Sequence, residues 1–237
     1  MKRRALLIGN TDGLPGVKVD ISAVQNFLKS ARGGRWKADE ITTLIDPKEI
    51  DLGHAIREVK GQKNDFVFVH YSGHGGQERQ TFLEINSNGE RIKESDLFGL
   101  SERQVCIFDC CRTYSEISAK AALNESLESF ALDSHSDIRE KYDLRQMQAI
   151  PQQVQMYACS KGQSALDTKE GGIYTSQILK SALHRNNNDQ YITLGQIHQL
   201  ASQKVEALAK SKGSKQEPEI IVPRCLSCQQ LIFAINL

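Results

Sequence analysis

Two short segments hold residue types suited to covalent chemistry: Val69-His70-Tyr71-Ser72-Gly73-His74-Gly75-Gly76 and Phe108-Asp109-Cys110-Cys111-Arg112. Each begins at the end of an apolar run that reads as a buried strand. A cysteine attacks as its thiolate, and a nearby imidazole generates that form and carries the proton onward. Glycines beside His74 let a substrate approach the backbone closely, and their N–H groups can face a developing oxyanion. In open parallel sheets, ligands bind at the carboxyl ends of the strands. A His and a Cys leaving two neighbouring strands would therefore meet across one cleft.

Other candidates carry less. His70 and His74 are spaced four apart, but Ser72-Gly73 and the β-rich run before them argue against a helix, and the Glu of a zinc helix is absent. We expect no metal there. The loop from Gly9 to Gly16 matches neither phosphate-binding glycine pattern. Cys106 lies inside a strand and reads as a small core residue. Cys225-Leu226-Ser227-Cys228 is a single C-x-x-C with no second pair to complete a structural zinc site. The six Cys, at 106, 110, 111, 159, 225 and 228, crowd the C-terminal part and do not form a disulfide framework.

The elements that must position these residues follow from composition and periodicity. The chain has 237 residues, 39% hydrophobic and 25% charged, with 5 Pro, which describes a globular chain. A net charge of +1 argues against nucleic-acid binding by bulk charge. No apolar run approaches the roughly 20 residues that span a bilayer. Ala5 to Ile8 is too short for the apolar part of a signal peptide after Met1-Lys2-Arg3-Arg4. A cytoplasmic protein is expected.

Strands are predicted at Ala5–Ile8, Ile41–Ile45, Phe66–Val69, Val105–Phe108, Val154–Cys159 and Leu231–Ile235. Asn88-Gly89 marks a hairpin between Thr81–Ile85 and Glu90–Ile92. Helices alternate with these strands. One is capped by Asp20 and carries Ile21, Val24, Phe27 and Leu28 on its apolar face. One has Pro47 in its first turn and runs to about Lys60. Two more span Tyr174 to about Asn186 and Leu194 to about Lys210. The alternation argues for a largely parallel sheet with helices on both faces. Ser115 to Gln152 breaks the pattern and reads as a long connecting loop.

Together the two segments resemble the caspase-like cysteine peptidases, in particular their metacaspase and orthocaspase branch (peptidase family C14). Tyr71-Ser72-Gly73-His74-Gly75 resembles the family's His motif, and Asp109-Cys110-Cys111 its D-x-C motif. Leu7-Ile8-Gly9-Asn10 with Leu14, Gly16 and Asp20 is similar to its first strand and helix. Tyr157-Ala158-Cys159-Ser160, Gln163-Ser164-Ala165 and Gly172-Ile173-Tyr174-Thr175 are similar to the start of its small subunit. The resemblance implies an α/β fold: a three-layer α/β/α sandwich on a six-stranded, mostly parallel sheet with the last strand antiparallel. It implies one catalytic domain over residues 1–237, with 1–114 large-subunit-like, 115–152 a linker or activation loop, and 153–237 small-subunit-like.

Carried over residue by residue, His74 is the general base and acid and Cys111 the nucleophile, with Cys110 its adjacent competitor. Side chains alternate along a strand, so the two thiols cannot both face the cleft if the strand extends that far. The N–H groups of Gly75 and Cys111 form the oxyanion hole. The positions matching the pocket for the residue before the scissile bond are Asp20, Ser72 and Asp109. Two carboxylates there would hold Arg or Lys and repel Asp.

Two departures from the family pattern stand out. Val17 replaces a frequent Cys, and Arg112-Thr113-Tyr114 replaces His-Ser-Gly. No cofactor is implied. Many relatives need calcium, but Gly89 and Ser118 stand where acidic ligands would, with only Glu94 and Asp96 near one expected position, so little calcium dependence is expected. Lys120, Arg139, Lys141 and Arg145 are candidate points for self-cleavage or activation. The implied partners are a protein substrate and an activating protease or sensor. A role in bacterial cell death or antiviral defence is a family-level analogy. A peptidase of other specificity and a catalytically silent scaffold are the competing readings.

Overall fold

Apolar side chains alternate to the two faces of the central strands and recruit the helices that cover them. The computed structural model describes residues 1–114, 121–123, 137–183 and 189–237. In chain order the strands are β1 (Arg3–Gly9), β2 (Ile41–Ile45), β3 (Phe66–Ser72), β4 (Gly75–Gln77), β5 (Thr81–Glu84), β6 (Arg91–Lys93), β7 (Arg103–Asp109) and β8 (Ala121–Leu123). They continue as β9 (Gln152–Tyr157), β10 (Leu166–Thr168), β11 (Gly171–Gly172), β12 (Tyr191–Thr193), β13 (Glu219–Ile221) and β14 (Ile232–Ile235). The helices are α1 (Gly16–Lys29), α2 (Glu49–Gly61), α3 (Asp137–Gln148), α4 (Ile173–Ala182) and α5 (Leu194–Ser211).

The main sheet has six strands in the order β13-β9-β7-β3-β1-β2. Its strands run parallel except β13, which pairs antiparallel with β9. One face, with Ala5, Leu7, Phe66, Phe68, Val105 and Ile107, packs against the apolar stripes of α1, α4 and α5. The other, with Leu6, Ile8, Val67, Val69, Cys106 and Phe108, packs against Leu52 and Val59 of α2 and against the β5–β6 region. The result is the expected three-layer sandwich. Phe27 of α1 stacks on Phe233, centroids 4.7 Å apart, which ties the first helix to the C-terminal strand.

Among the described residues, three smaller sheets decorate the frame. β4, β5 and β6 form an antiparallel unit containing the Asn88-Gly89 turn, with Gly89 at φ +74°. β10 pairs antiparallel with β11 and parallel with β8, and β12 pairs antiparallel with β14.

Several sequence expectations need correction. The antiparallel edge strand of the main sheet is β13, not the segment Leu231–Ile235. That segment does form a strand, β14, but it pairs with β12 and is buried. Asp20 does not cap α1. Pro15, at φ −65°, is already set for a helix, so α1 starts at Gly16 and Asp20 falls inside its second turn. Pro47 precedes α2, whose N-cap is Lys48.

Residues 115–152 are not one loop. Asp137–Gln148 form α3, which buries Ile138, Tyr142, Arg145 and Gln146. Three of the proposed cleavage points therefore lie on a helix: Arg139 holds Glu40, Arg145 is buried, and Lys141 is exposed. Lys120 lies outside the described residues. α4 ends at Ala182, and residues 184–188 also lie outside them.

Candidate active site

β1, β3 and β7 end side by side, and their register lines up Gly9, Ser72 and Asp109. The chain then turns sharply. Asn10 N–H donates to Ser72 O, and Gly73 N–H donates to Asp109 O. A Cβ at Gly73 would lie 2.6 Å from the Tyr71 hydroxyl and 2.9 Å from Asn10 Cβ, so only glycine fits between them. This turn delivers His74 directly above the strand ends.

His74 Nε2 lies 2.6 Å from the Asp12 carbonyl oxygen. A carbonyl only accepts, so Nε2 carries the hydrogen and Nδ1 is the basic nitrogen. Nδ1 is buried and has no hydrogen-bond partner in the structure. The Asp12 loop is itself held: Asp12 N–H donates to Asn10 Oδ1, and Thr11 N–H and Oγ1–H donate to Asp46. The buried Tyr71 hydroxyl lies between the carbonyls of His74 and Glu84, and burial raises its pKa well above the usual phenol range. The ring is thus held through Nε2 and the His74 backbone through its carbonyl, with Nδ1 left for proton transfer.

The two adjacent thiols point to opposite sides of the sheet. Cys111 belongs to the core cluster that contains Val105 and Ile107, and Cys110 to the one that contains Cys106 and Phe108. Period-two alternation therefore puts Cys111 on the face shared with Asp109, and Cys110 on the reverse. Cys111 Sγ is 3.8 Å from Ala165 O. The Cys110 thiol packs against Gly75, where a Cβ would stand 2.9 Å from Cys110 Sγ. Cys106 and Cys159 are both buried, and burial pushes each thiol up to about 12, which suits core residues rather than nucleophiles.

Asp20, Ser72 and Asp109 come together as expected. Ser72 Oγ donates to Asp20 Oδ2 at 2.6 Å. Both carboxylates then face the start of α4. Gly172 N–H donates to Asp20 Oδ1 and Oδ2 at 2.9 and 3.0 Å, and Thr175 donates to Asp109 Oδ2 from N at 3.0 Å and from Oγ1 at 2.7 Å. α4 has no side-chain cap of its own, because its N-cap is Gly172. The Asp20 and Asp109 carboxylates serve its unpaired N–H groups instead. A Cβ on Gly171 or Gly172 would fall 2.2 Å from an oxygen of Asp20 or of Asp109, respectively. Sequence reasoning placed Gly172 and Thr175 in a family-like stretch but gave them no role. The Asp12 carbonyl was also missed, since a backbone group leaves no trace in residue identity.

Arg112 braces the segment after Cys111. Its guanidinium sits over the Tyr157 ring, 4.0 Å from the centroid. Nε donates to Thr81 Oγ1 at 3.2 Å, and Nη1 to Cys159 O at 3.2 Å and to Glu219 Oε2 at 2.7 Å. Its N–H donates to Gln163 O, and its carbonyl accepts from Gly162 N–H. Glu94 accepts from Thr81 N–H, and Asp96 from Lys93 N–H. Among the described residues, no group of three or more His, Cys, Asp or Glu is arranged to hold a metal ion. His70 lies inside β3, with Nε2 3.1 Å from Thr175 Oγ1.

In this conformation the site is shut: Cys111 and Asp109 have no exposed surface, and His74 retains 7%.

The chain has known relatives in both sequence and fold. The caspase domain of peptidase family C14 matches residues 2–226, and the chain belongs to this family of cysteine-type peptidases. It is similar to Metacaspase-1 of Mycosarcoma maydis, 38% identical over 34% of this chain and 23% of that protein. It is also similar to Metacaspase-1 of Lodderomyces elongisporus, 22% identical over 98% of this chain and 67% of that protein. The first alignment thus spans about a quarter of its relative's length. Among solved structures, Caspase-1 from Spodoptera frugiperda shares the fold with a TM-score of 0.61 at 13% identity, covering 93% of this chain and 86% of that one. A Geobacter sulfurreducens protein does so with a TM-score of 0.60 at 16% identity, covering 98% and 97%. Among the described residues, no helix is long and apolar enough to cross a membrane.

Proposed function

We propose that this chain is an endopeptidase that cleaves proteins after Arg or Lys, with Cys111 as nucleophile and His74 as general base and acid. His74 Nδ1 takes the thiol proton, and the thiolate attacks the scissile carbonyl. The N–H groups of Gly75 and Cys111 hold the oxyanion. His74 returns the proton to the leaving amine, and water then releases the acyl product. Asp20, hydrogen-bonded to Ser72, and Asp109 grip the cationic side chain before the scissile bond.

The observation that carries this reading is the alignment of Ser72 beside Asp109, with Asp20 hydrogen-bonded to Ser72, on the sheet face that also holds Cys111. The shut nucleophile supports a zymogen that needs processing or a partner to open. No calcium step is required.

The test is a peptide panel differing only before the scissile bond: Arg, Lys, Asp and Ala. It is run on the native chain before and after limited proteolysis, with calcium and with chelator, and on Cys111→Ala. Cleavage after Arg and Lys that vanishes in the variant and survives chelation is expected. Preference for Asp would sink the acidic-pocket assignment.

A further inference from the structure

We infer that Thr175 is a specificity-positioning residue, one that aims the Asp109 carboxylate at the basic side chain of the substrate. This rests on the acidic-pocket reading above. Thr175 is the third residue of α4, and it meets Asp109 Oδ2 twice, through N–H at 3.0 Å and Oγ1–H at 2.7 Å. A carboxylate has many rotamers in a loose site. Two donors from one residue converge on Oδ2 and hold that oxygen at the start of α4, where a Cβ on Gly172 would stand 2.2 Å from it.

The hydroxyl is itself directed. Thr175 Oγ1 has one hydrogen, and that hydrogen goes to Asp109. His70 Nε2, 3.1 Å from Oγ1, must then be the donor in that contact, which fixes His70 with its hydrogen on Nε2. His70, Thr175 and Asp109 form a buried chain running from the middle of β3, through the start of α4, to the end of β7. Its far end is the pocket. Thr175 never meets the substrate. It acts through Asp109, much as an outer partner orients a ligand.

The experiment compares the native chain, Thr175→Val and Thr175→Ser, each after the same activating limited proteolysis, on peptides carrying Arg or citrulline before the scissile bond. Citrulline keeps the shape of Arg and loses the charge. Valine keeps the volume of threonine and loses the hydroxyl. T175V is expected to raise KM for the Arg peptide about tenfold, the scale of one charge-assisted hydrogen bond, while the citrulline peptide stays within twofold. T175S is expected to restore most of the loss. Labelling of Cys111 by an Arg chloromethyl ketone, set against iodoacetamide, gives the same comparison without turnover, and thermal unfolding checks that each variant is folded.

Equal losses on both peptides, a loss confined to kcat, failure of serine to rescue, or no change would each overturn the role of Thr175 and leave the acidic pocket in place. A native chain that does not distinguish Arg from citrulline in either assay removes the pocket reading, and the role of Thr175 with it.

Discussion

The two ends of the parallel sheet treat buried charge in opposite ways. At the N-terminal end, Arg3 is buried on β1 between Trp36, 4.5 Å from its ring centroid, and Tyr142. It donates to Asp143 at 2.7 Å, to Glu40 at 3.4 Å, and to the carbonyls of Gly34 and Arg35. Cation, carboxylates and aromatic faces cancel one another there. At the C-terminal end, Asp20 and Asp109 take hydrogen bonds from the hydroxyls and amides of Ser72, Gly172 and Thr175. The first arrangement staples α3 to the start of the chain. The second presents two carboxylates at the strand ends, where ligands of such sheets bind. A buried ion pair and two buried carboxylates held by neutral donors can look alike in a list of charged residues. Their partners tell them apart.

The largest test of this contrast is at the strand-end site. His74→Ala is expected to reduce kcat/KM by about a thousandfold or more and to leave stability nearly unchanged, measured by peptide hydrolysis and urea unfolding. Cys110→Ala should retain activity, because that thiol lies on the reverse face. An inactive Cys110→Ala beside an active Cys111→Ala would exchange their roles. Arg3→Met should do the reverse of His74→Ala. It should cost about 3 kcal/mol in urea unfolding, since Asp143 loses its close cation and Glu40 keeps only Arg139, with kcat within twofold. A stable but inactive Arg3→Met would erase the distinction between the two ends.

The smallest effect is in pH. Burial opposes ionisation of Glu40, but hydrogen bonds from Arg139 and the Lys37 N–H, with Arg3 nearby, outweigh it and bring the carboxyl down to about 2. The unfolded chain binds more protons than the folded one between about 4.5 and 2. The stabilisation is therefore complete above about 4.5 and is lost as pH falls toward 2. Glu40→Gln should flatten the stability–pH curve in that window and leave it unchanged at neutral pH in shape.

Much of this was legible in sequence for a physical reason. Phe66–Val69 and Val105–Phe108 are buried on both faces, so their continuous apolar runs announce central strands. His74, Cys111, Ser72 and Asp109 follow them directly, and their positions came with the strands. β13 was missed because Glu219-Ile220-Ile221 is three residues long and lies between Pro218 and Pro223. β4 was missed because Gly75-Gly76 carries no strand propensity. α3 was missed because half its sequence is charged and its four buried residues include Arg145 and Gln146. The roles of Asp12 and Thr175 depend on a carbonyl and a hydroxyl reached across the fold, and such long-range meetings are written in no local pattern.

The neighbourhood of β7 and β9 has one more consequence. The chain leaves β7 at Asp109 and returns in β9 at Gln152, and the two strands lie side by side in six matched residue pairs. Arg3 and Asp143 add a second stitch across the same divide. Covalent continuity between these points is not what keeps them adjacent. A single nick in the intervening segment, between 124 and 136, would leave two polypeptides that migrate apart only under denaturing conditions. In native solution they would stay one particle.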